Sequence, residues 1–158
     1  MISIRAVTRF ALVITSLLFL SLSARAQEVK ISEKDVPPAV ITAFKSAYPQ
    51  ATIRGYAREK ENGKVFYEVE SKEGNTTRDI LYNRDGSVQE VEESIPATDL
   101  PAAAQATIHS RYPKAIITLA EKVTIGDKIG YEVSAKQGKR RISLEFDAAG
   151  KVVKSNSK

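Results

Sequence analysis

Hydrophobic residues in this chain recur first at helical spacing and then in alternation, so the pattern predicts a helix followed by strands. Val40, Phe44 and Tyr48 are spaced to share one face of a helix. The acidic Asp35, followed by a proline pair, is typical of a helix start because its carboxylate accepts hydrogen bonds from free backbone N–H groups. Pro49 ends the helix, since the residue before a proline avoids helical geometry.

The residues after this helix alternate between apolar and polar, which is the spacing of strands with one covered face. Turn signals divide the stretch into four strands: "ENGK" at residues 61–64, then Gly74, then the hairpin pair Asp85-Gly86. Connections this short make a sheet antiparallel. The expected strands cover residues 51–60, 65–71, 76–83 and 88–92.

The whole pattern occurs again 64 residues later, and "FKSAYPQATI" and "IHSRYPKAII" are its clearest copies. Residues 31–94 align with residues 95–158 without a gap, and 17 of the aligned positions are identical. A fixed period of this kind means that one structural unit is used twice. We therefore predict an α+β fold, a tandem repeat of a helix packed on a four-stranded antiparallel sheet, with units at residues 27–94 and 95–158.

Residues 1–26 have the pattern of a secretory signal peptide. Arg5 and Arg9 form a positive region, residues 10–22 are apolar and uncharged, and an Ala-x-Ala motif ends at Ala26. A membrane anchor is the alternative, but the apolar stretch is shorter than the roughly 20 residues of a span. We expect the segment to be removed, which would leave a periplasmic or secreted chain with no membrane attachment.

Composition and charge exclude several classes of function. Without the signal peptide, 21 basic and 19 acidic residues remain, and they form no concentrated basic stripe, so nucleic-acid binding is not expected. The chain has no cysteine and a single histidine, His109, which excludes a thiolate zinc site and a histidine cluster. It also lacks a glycine-rich phosphate loop, and we expect no cofactor.

The sequence contains no pattern typical of an active site. Glu68 and Glu132 recur as a carboxylate pair but lie on separate predicted sheets, so a shared acid–base site is not expected. The recurring serines of the two helices have no matching base nearby. Glu70, Asp79 and Asp85 lack the alternating loop ligands of a dedicated calcium site. We therefore predict no enzymatic activity, no catalytic residues and no metal ligands.

Alternation places one face of each predicted sheet under the helix and leaves the other face open and polar. Tyr56, Phe66 and Leu81 are large apolar residues on the open face of the first unit, whereas Gly130 stands in the place of Phe66 in the second. Apolar groups at such positions indicate a contact surface, either for a partner or for packing against the second unit. The candidate contact residues are Arg54, Tyr56, Phe66, Glu68, Leu81, Glu132 and Arg141.

The chain resembles the PepSY-like family, also called β-lactamase-inhibitor-like. The resemblance is carried twice, by "VPPAVITAFKSAYPQATI", "YEVES" and "RDILYNRDGSV", and by "LPAAAQATIHSRYPKAII", "YEVSA" and "LEFDAAGKV". The second copy departs at Ala149, where the family pattern has the aspartate of a hairpin turn. The resemblance implies a secreted or periplasmic protein with a non-enzymatic role, and it supplies no catalytic residues.

Three hypotheses for the function follow from these observations. The first is an extracytoplasmic binding module that uses the open sheet face on a protein or peptide, with inhibition as one form of that role. The alternative is an envelope sensor or carrier of small ligands or metal ions, which would use Glu68, Glu70 and Asp79. The third is a scaffold with no specific ligand. The sequence does not indicate an oligomeric state.

Overall fold

The structure, a computed structural model, describes residues 28–158 and folds them into one antiparallel sheet of nine strands with two short helices. The order of the strands in the sheet follows their order in the chain. The predicted signal peptide, residues 1–26, lies outside the described residues. The strands are β1 (Val29–Ile31), β2 (Thr52–Glu61), β3 (Lys64–Glu73), β4 (Thr76–Tyr82), β5 (Val88–Ser94), β6 (Ile116–Ile125), β7 (Lys128–Gln137), β8 (Arg140–Asp147) and β9 (Val152–Ser157), and the helices are α1 (Pro38–Ala47) and α2 (Ala102–Arg111).

The predicted fold class, an α+β tandem repeat of a helix on a four-stranded sheet, is wrong. β5 pairs with β6 from Val91–Thr124 to Ser94–Glu121, so the strands form a single, mostly β structure instead of two separate sheets. An unpaired edge strand exposes a row of backbone N–H and C=O groups, and joining β5 to β6 satisfies two such edges at once. Alternation in the sequence assigns residues to faces but does not say which edges pair.

The strand β1 is absent from the sequence prediction because it has only three residues. It pairs with β2, where Val29 lies opposite Arg58. The same pairing occurs 64 residues later between Glu93 of β5 and Lys122 of β6. The end of β5 therefore covers the edge of β6 as β1 covers the edge of β2.

Both helices lie on the same face of the sheet. Val69, Ile80, Val91, Thr124 and Ile129 are paired in succession across β3 to β7, which identifies one continuous face. Apolar residues of this face form two buried clusters, one with each helix. The first contains Val36, Val40, Phe44, Tyr56, Tyr67, Val69, Ile80 and Tyr82, and the second contains Leu100, Ala104, Ile108, Ala120, Val133, Ala135, Ile142, Leu144 and Phe146.

The Tyr-Pro pairs end both helices, as the sequence predicts. The backbone N–H of Tyr48 donates to the carbonyl of Phe44 at 2.9 Å, and that of Tyr112 donates to Ile108 at 2.8 Å. Each tyrosine is the C-terminal capping residue, and its backbone is no longer helical. The prolines that follow direct the chain into β2 and β6.

A β-bulge in β2 corrects the predicted position of Tyr56. The register of β2 against β3 shifts between Ile53 and Gly55, and an inserted residue moves every later side chain to the opposite face. Tyr56 therefore lies under α1, 8% exposed, and its hydroxyl donates to Glu33 Oε2 at 3.1 Å. The prediction that Tyr56 lies on the open face is wrong, and Glu59 lies there instead.

The same bulge occurs in β6, between Ile117 and Leu119. It places Lys122 opposite Tyr131 on the helical face, although alternation predicts it on the open face. It also moves Glu121 onto the open face, opposite Glu132. Each bulge therefore moves one acidic residue onto the open face, Glu59 in β2 and Glu121 in β6.

Candidate functional site

The open face of the sheet carries a row of carboxylates that crosses seven strands. Asp79 lies opposite both Glu70 and Glu92, and Glu132 lies opposite both Glu121 and Glu145. Directly opposed side chains on a sheet have Cβ atoms roughly 5 Å apart, and like charges at that distance repel. We call this row the acidic strip; its members are Glu59, Glu68, Glu70, Asp79, Glu90, Glu92, Glu121, Glu132 and Glu145.

The pairing of β5 with β6 assembles the centre of the strip. Glu90 and Glu92 of β5 alternate with Val91, which faces the helices, so both carboxylates point to the open face. Asp79, Glu92 and Glu121, from three strands, offer carboxylate oxygens that all lie within 4.8 Å of one another. The carboxylates of the two halves of the chain thus form one continuous group.

A second trio of carboxylates lies at the end of the strip formed by β2 and β3. Glu28, Glu59 and Glu68 also offer oxygens within 4.8 Å of one another. Burial, followed by the hydrogen bond with Glu59 and the charge of Glu59, raises the pKa of Glu68 to about 8. The neutral form of Glu68 is therefore favoured beside Glu59.

Burial and acidic neighbours also raise the pKa values at the centre of the strip. Burial raises the pKa of Glu92 to about 8, with the charges of Glu132 and Glu90 acting in the same direction. The pKa of Glu90 and that of Glu121 are each raised to about 7, again mainly by burial. The strip is therefore only partly ionised at neutral pH, because each further negative charge is costly.

The pKa values of the remaining inner carboxylates are raised for the same reason. Burial raises the pKa of Glu59, of Asp79 and of Glu132. Lys154 opposes the rise at Glu132, and Lys30 opposes it at Asp79. The charges that act on Glu68 and Glu92, in contrast, are all acidic.

Ion pairs with lysine occur at both lateral ends of the strip. Lys30, on the edge strand β1, lies 2.7 Å from Glu70, and this hydrogen bond raises the pKa of the lysine. Lys154, on the edge strand β9, lies 2.6 Å from Glu145. The edge strands therefore supply cations that compensate part of the acidic charge.

Two small cavities open along the strip. The first has a volume of about 90 Å³ and lies over β2 to β5. The second has a volume of about 80 Å³ and lies over β5 to β9, beside Gly130. The first is lined by Glu59, Glu68, Asp79, Leu81, Glu90 and Glu92.

The structure does not bring the seven predicted contact residues together in one site. Glu68 and Leu81 line the first cavity, and Glu132 lines the second. Phe66 lies on the open face but is only 6% exposed, so it offers little contact surface.

The two predicted arginines lie away from the strip. Arg54 is exposed at the bulge of β2, in a hollow near the end of α1. Arg141 is exposed at the opposite end of the sheet, in a hollow shared with Lys136 and Lys158. Neither arginine is therefore a neighbour of the carboxylates that the prediction grouped with it.

The sequence reasoning missed four carboxylates of the strip, one of which, Glu59, lies on the open face because of the bulge in β2. The alternation of Glu90, Val91 and Glu92 in β5 was a visible signal for two of them. Glu121 gave no such signal, because the bulge in β6 reverses the face that simple alternation assigns to it. Its proximity to Asp79 also depends on the pairing of β5 with β6.

The fold and the site together define a class: small sheet proteins in which helices cover one face and the other face is open and polar. The chain belongs to the beta-lactamase-inhibitor-like, PepSY-like family, whose sequence pattern matches residues 22–77 and 65–154. No curated protein sequence matches the chain significantly. Within residues 28–158, neither helix is long and apolar enough to cross a membrane.

Several solved structures share the fold at low sequence identity. A proposed periplasmic protein from Bacteroides eggerthii has a TM-score of 0.64 at 14% identity, covering 77% of this chain and 88% of that one. A DUF2874 family protein from Bacteroides ovatus has a TM-score of 0.60 at 17% identity, covering 77% and 87%. A BLIP-like protein from Bacteroides fragilis has a TM-score of 0.56 at 19% identity, covering 75% and 84%.

Proposed function

We propose that the protein is a non-enzymatic binding module whose acidic strip binds a positively charged segment of a partner protein or peptide. The protein is periplasmic or secreted; the signal-like segment at residues 1–26 and the periplasmic description of a structural neighbour support this location. The observation that carries the proposal is the acidic strip itself, in which carboxylates from seven strands lie side by side on an otherwise open face.

The electrostatics of the strip favour a cationic ligand. Its raised pKa values mean that burial and repulsion hold part of its charge neutral at pH 7. A cation placed among these carboxylates stabilises their ionised forms, so binding and ionisation support each other. A field of one sign also increases the association rate of an oppositely charged partner.

The extent of the strip favours a chain-like ligand. Neighbouring strands are about 4.8 Å apart, so the six steps from β2 to β8 span roughly 29 Å. An extended peptide rises about 3.3 Å per residue, so eight or nine residues cover this distance. The inhibitor-like name of the family supports a protein partner, and inhibition is one form that the binding would take.

A titration with a designed peptide tests the proposal. The mature chain, residues 27–158, is mixed at pH 8 with a fluorescent nine-residue peptide that alternates lysine and serine, and separately with its glutamate counterpart. We expect only the lysine peptide to bind, and its affinity to fall as salt increases. The double variant Glu92→Gln/Glu121→Gln should bind about tenfold more weakly, because two favourable charge contacts are lost.

The control variant for this titration is Asp99→Asn/Asp127→Asn, which removes the same formal charge from two exposed positions outside the strip, one in the 3-10 helix before α2 and one in the turn between β6 and β7. It should bind the lysine peptide as the unmodified chain does. Equal binding of the lysine and glutamate peptides, or equal losses in the two double variants, would show that the strip is not the binding surface.

A divalent cation is the second candidate ligand, and the two carboxylate trios favour it. Glu28, Glu59 and Glu68, or Asp79, Glu92 and Glu121, offer the hard oxygen ligands that Ca²⁺ prefers, although Ca²⁺ takes 6–8 such ligands. A ligand that binds only the folded state raises the melting temperature. Under this second hypothesis, Ca²⁺ at pH 8 would raise the melting temperature of the unmodified chain, and the lysine peptide would not bind. Glu92→Gln/Glu121→Gln would remove that rise if the trio with Asp79 binds the ion, and Glu59→Gln/Glu68→Gln would remove it if the trio with Glu28 does.

A further inference from the structure

The second cavity of the open face lies where the two halves of the chain differ most. Gly130 of β7 occupies the position that Phe66 occupies in β3, 64 residues earlier. Phe66 is buried, so its ring fills the space at this position in the first half of the sheet. Gly130 has no side chain to fill the equivalent space in the second half, and a cavity of about 80 Å³ opens there. This volume exceeds the roughly 10–15 Å³ that one water needs, so the cavity accepts a group of several atoms.

The walls of this cavity change together with the glycine. Val123, Ile125 and Val153 line it, and the residues 64 positions earlier in the chain are Glu59, Glu61 and Gln89. The second half therefore exchanges one large apolar side chain for glycine and three polar neighbours for apolar ones. Val153 is still 46% exposed. The result is an apolar hollow that this chain leaves unfilled.

Carboxylates surround the apolar walls. Glu90, Glu132 and Glu145 of the acidic strip line the same cavity, as does Asp147. Two cations lie nearby. Lys128 also lines the cavity, and Lys154 forms an ion pair with Glu145, with 2.6 Å between Nζ and Oε1. The cavity therefore combines an aliphatic wall with a rim on which acidic groups predominate.

We propose that this cavity receives the side chain of an arginine or lysine from the partner's basic segment. The methylene groups of that side chain pack against Val123, Ile125 and Val153, and its charged tip lies at Glu90 and Glu132. Long basic side chains place their aliphatic stems on apolar surface and keep the charge at a polar edge. This inference rests on the proposed function and assigns one anchoring position to it.

The other occupants of such a cavity fit these walls less well. An aromatic or aliphatic side chain would match Val123, Ile125 and Val153 but would bury the carboxylates of the rim without a partner, which is costly. An acidic side chain would be repelled by the same carboxylates. Only a group with an apolar stem and a positive tip matches both parts of the cavity.

The test uses two small probes of the same shape. The mature chain, labelled with ¹⁵N, is titrated at pH 8 with N-acetyl-arginine amide and separately with N-acetyl-citrulline amide, its neutral analogue. We expect the arginine probe to shift the backbone amide signals of Val123, Gly130 and Val153 with millimolar affinity. The citrulline probe should bind at least about fivefold more weakly, because it lacks the charge.

Three variants separate the parts of the cavity. Glu90→Gln/Glu132→Gln should weaken arginine binding about tenfold, since it keeps the shape of the rim and removes the two carboxylates proposed to contact the charged tip. Val153→Thr keeps the shape of the wall and exchanges a methyl group for a hydroxyl, so it should weaken binding about twofold. Asp99→Asn, which precedes α2 and lies away from the cavity, should leave binding unchanged.

The outcomes distinguish this inference from the proposed function. Arginine shifts confined to the first cavity, near Glu59 and Glu68, would overturn the assignment of this cavity and leave the acidic strip as a binding surface. Equal binding of arginine and citrulline would overturn the role of the carboxylate rim. Binding of the lysine peptide with no arginine shift at Gly130 would also contradict the inference, whereas failure of the peptide itself would contradict the proposed function.

Discussion

At the scale of single residues, the carboxylates of the acidic strip make the stability of the protein depend on pH. Glu68 and Glu92 have pKa values of about 8 in the folded chain, against an ordinary value of 4.5. Below about pH 4.5 both the folded and the unfolded chain hold these protons, and the stabilisation by protonation is fully present. Between pH 4.5 and pH 8 the unfolded chain releases them first, so the free energy of unfolding falls as pH rises.

We therefore expect the melting temperature to be higher at pH 5 than at pH 8.5, and Glu92→Gln to reduce that difference. Glutamine copies the neutral carboxyl group, so the variant should melt roughly 3 °C higher than the unmodified chain at pH 8.5 and close to it at pH 5. Circular dichroism melts at the two pH values provide the measurement. A variant that melts lower at pH 8.5 would mean that ionised Glu92 stabilises the fold, and the electrostatic account of the strip would be wrong.

Sequence reasoning identified individual residues of the site only where strand alternation was regular. Glu68, Leu81 and Glu132 lie on the open face, as alternation predicts, because no inserted residue precedes them in β3, β4 or β7. Tyr56 and Glu121 follow a bulge, and one inserted residue exchanges the faces. A bulge depends on local backbone geometry that the hydrophobic pattern does not encode.

At the scale of elements, the turns after β4 and β8 pack against the helices. Gly86 has a φ of +86°, and a Cβ built on it would lie 2.7 Å from the carbonyl oxygen of Ala39 in α1. Gly150 has a φ of +79°, and its Cβ would lie 2.8 Å from the backbone nitrogen of Ala104 in α2. Each glycine therefore allows a turn and a helix to approach closely.

We expect Gly86→Ala to lower the free energy of unfolding by roughly 2 kcal/mol or more, because it adds a steric clash to the strain of a positive φ. The matched control is Gly74→Ala, where φ is +59° and nothing lies within 4 Å of the added Cβ. It should cost only about 1 kcal/mol, the conformational part. Urea unfolding of both variants gives the comparison, and equal losses would indicate that the contact with Ala39 is unimportant.

The elements themselves were more predictable than their assembly. Proline and glycine specify the helix ends and the hairpin turns, since both restrict or permit backbone angles locally. The pairing of β5 with β6 involves residues that are about 30 positions apart, and no local signal specifies it. The three-residue strand β1 depends in the same way on the edge of β2 that it covers.

At the scale of the whole molecule, the shared sheet makes the two buried clusters depend on each other. Each cluster belongs to one half of the repeat, about 64 residues long, a size at which a core is marginal on its own. Separation of the two would break the pairing of β5 with β6, including the hydrogen bond from Ile95 N–H to the Ala120 carbonyl at 2.8 Å. It would also expose two central strand edges. The same pairing places Glu92 beside Glu121, so the acidic strip is complete only while the sheet is continuous.

We therefore expect the protein to unfold in a single cooperative transition that includes both clusters. NMR signals of Val69 and Val133, one from each cluster, should disappear at the same urea concentration. Gly86→Ala, which alters the contact with α1, and Gly150→Ala, which alters the contact with α2, should each lower that concentration for both signals together. If Gly150→Ala shifts only the signal of Val133, the clusters unfold independently. The acidic strip would then be assembled from two separately stable parts.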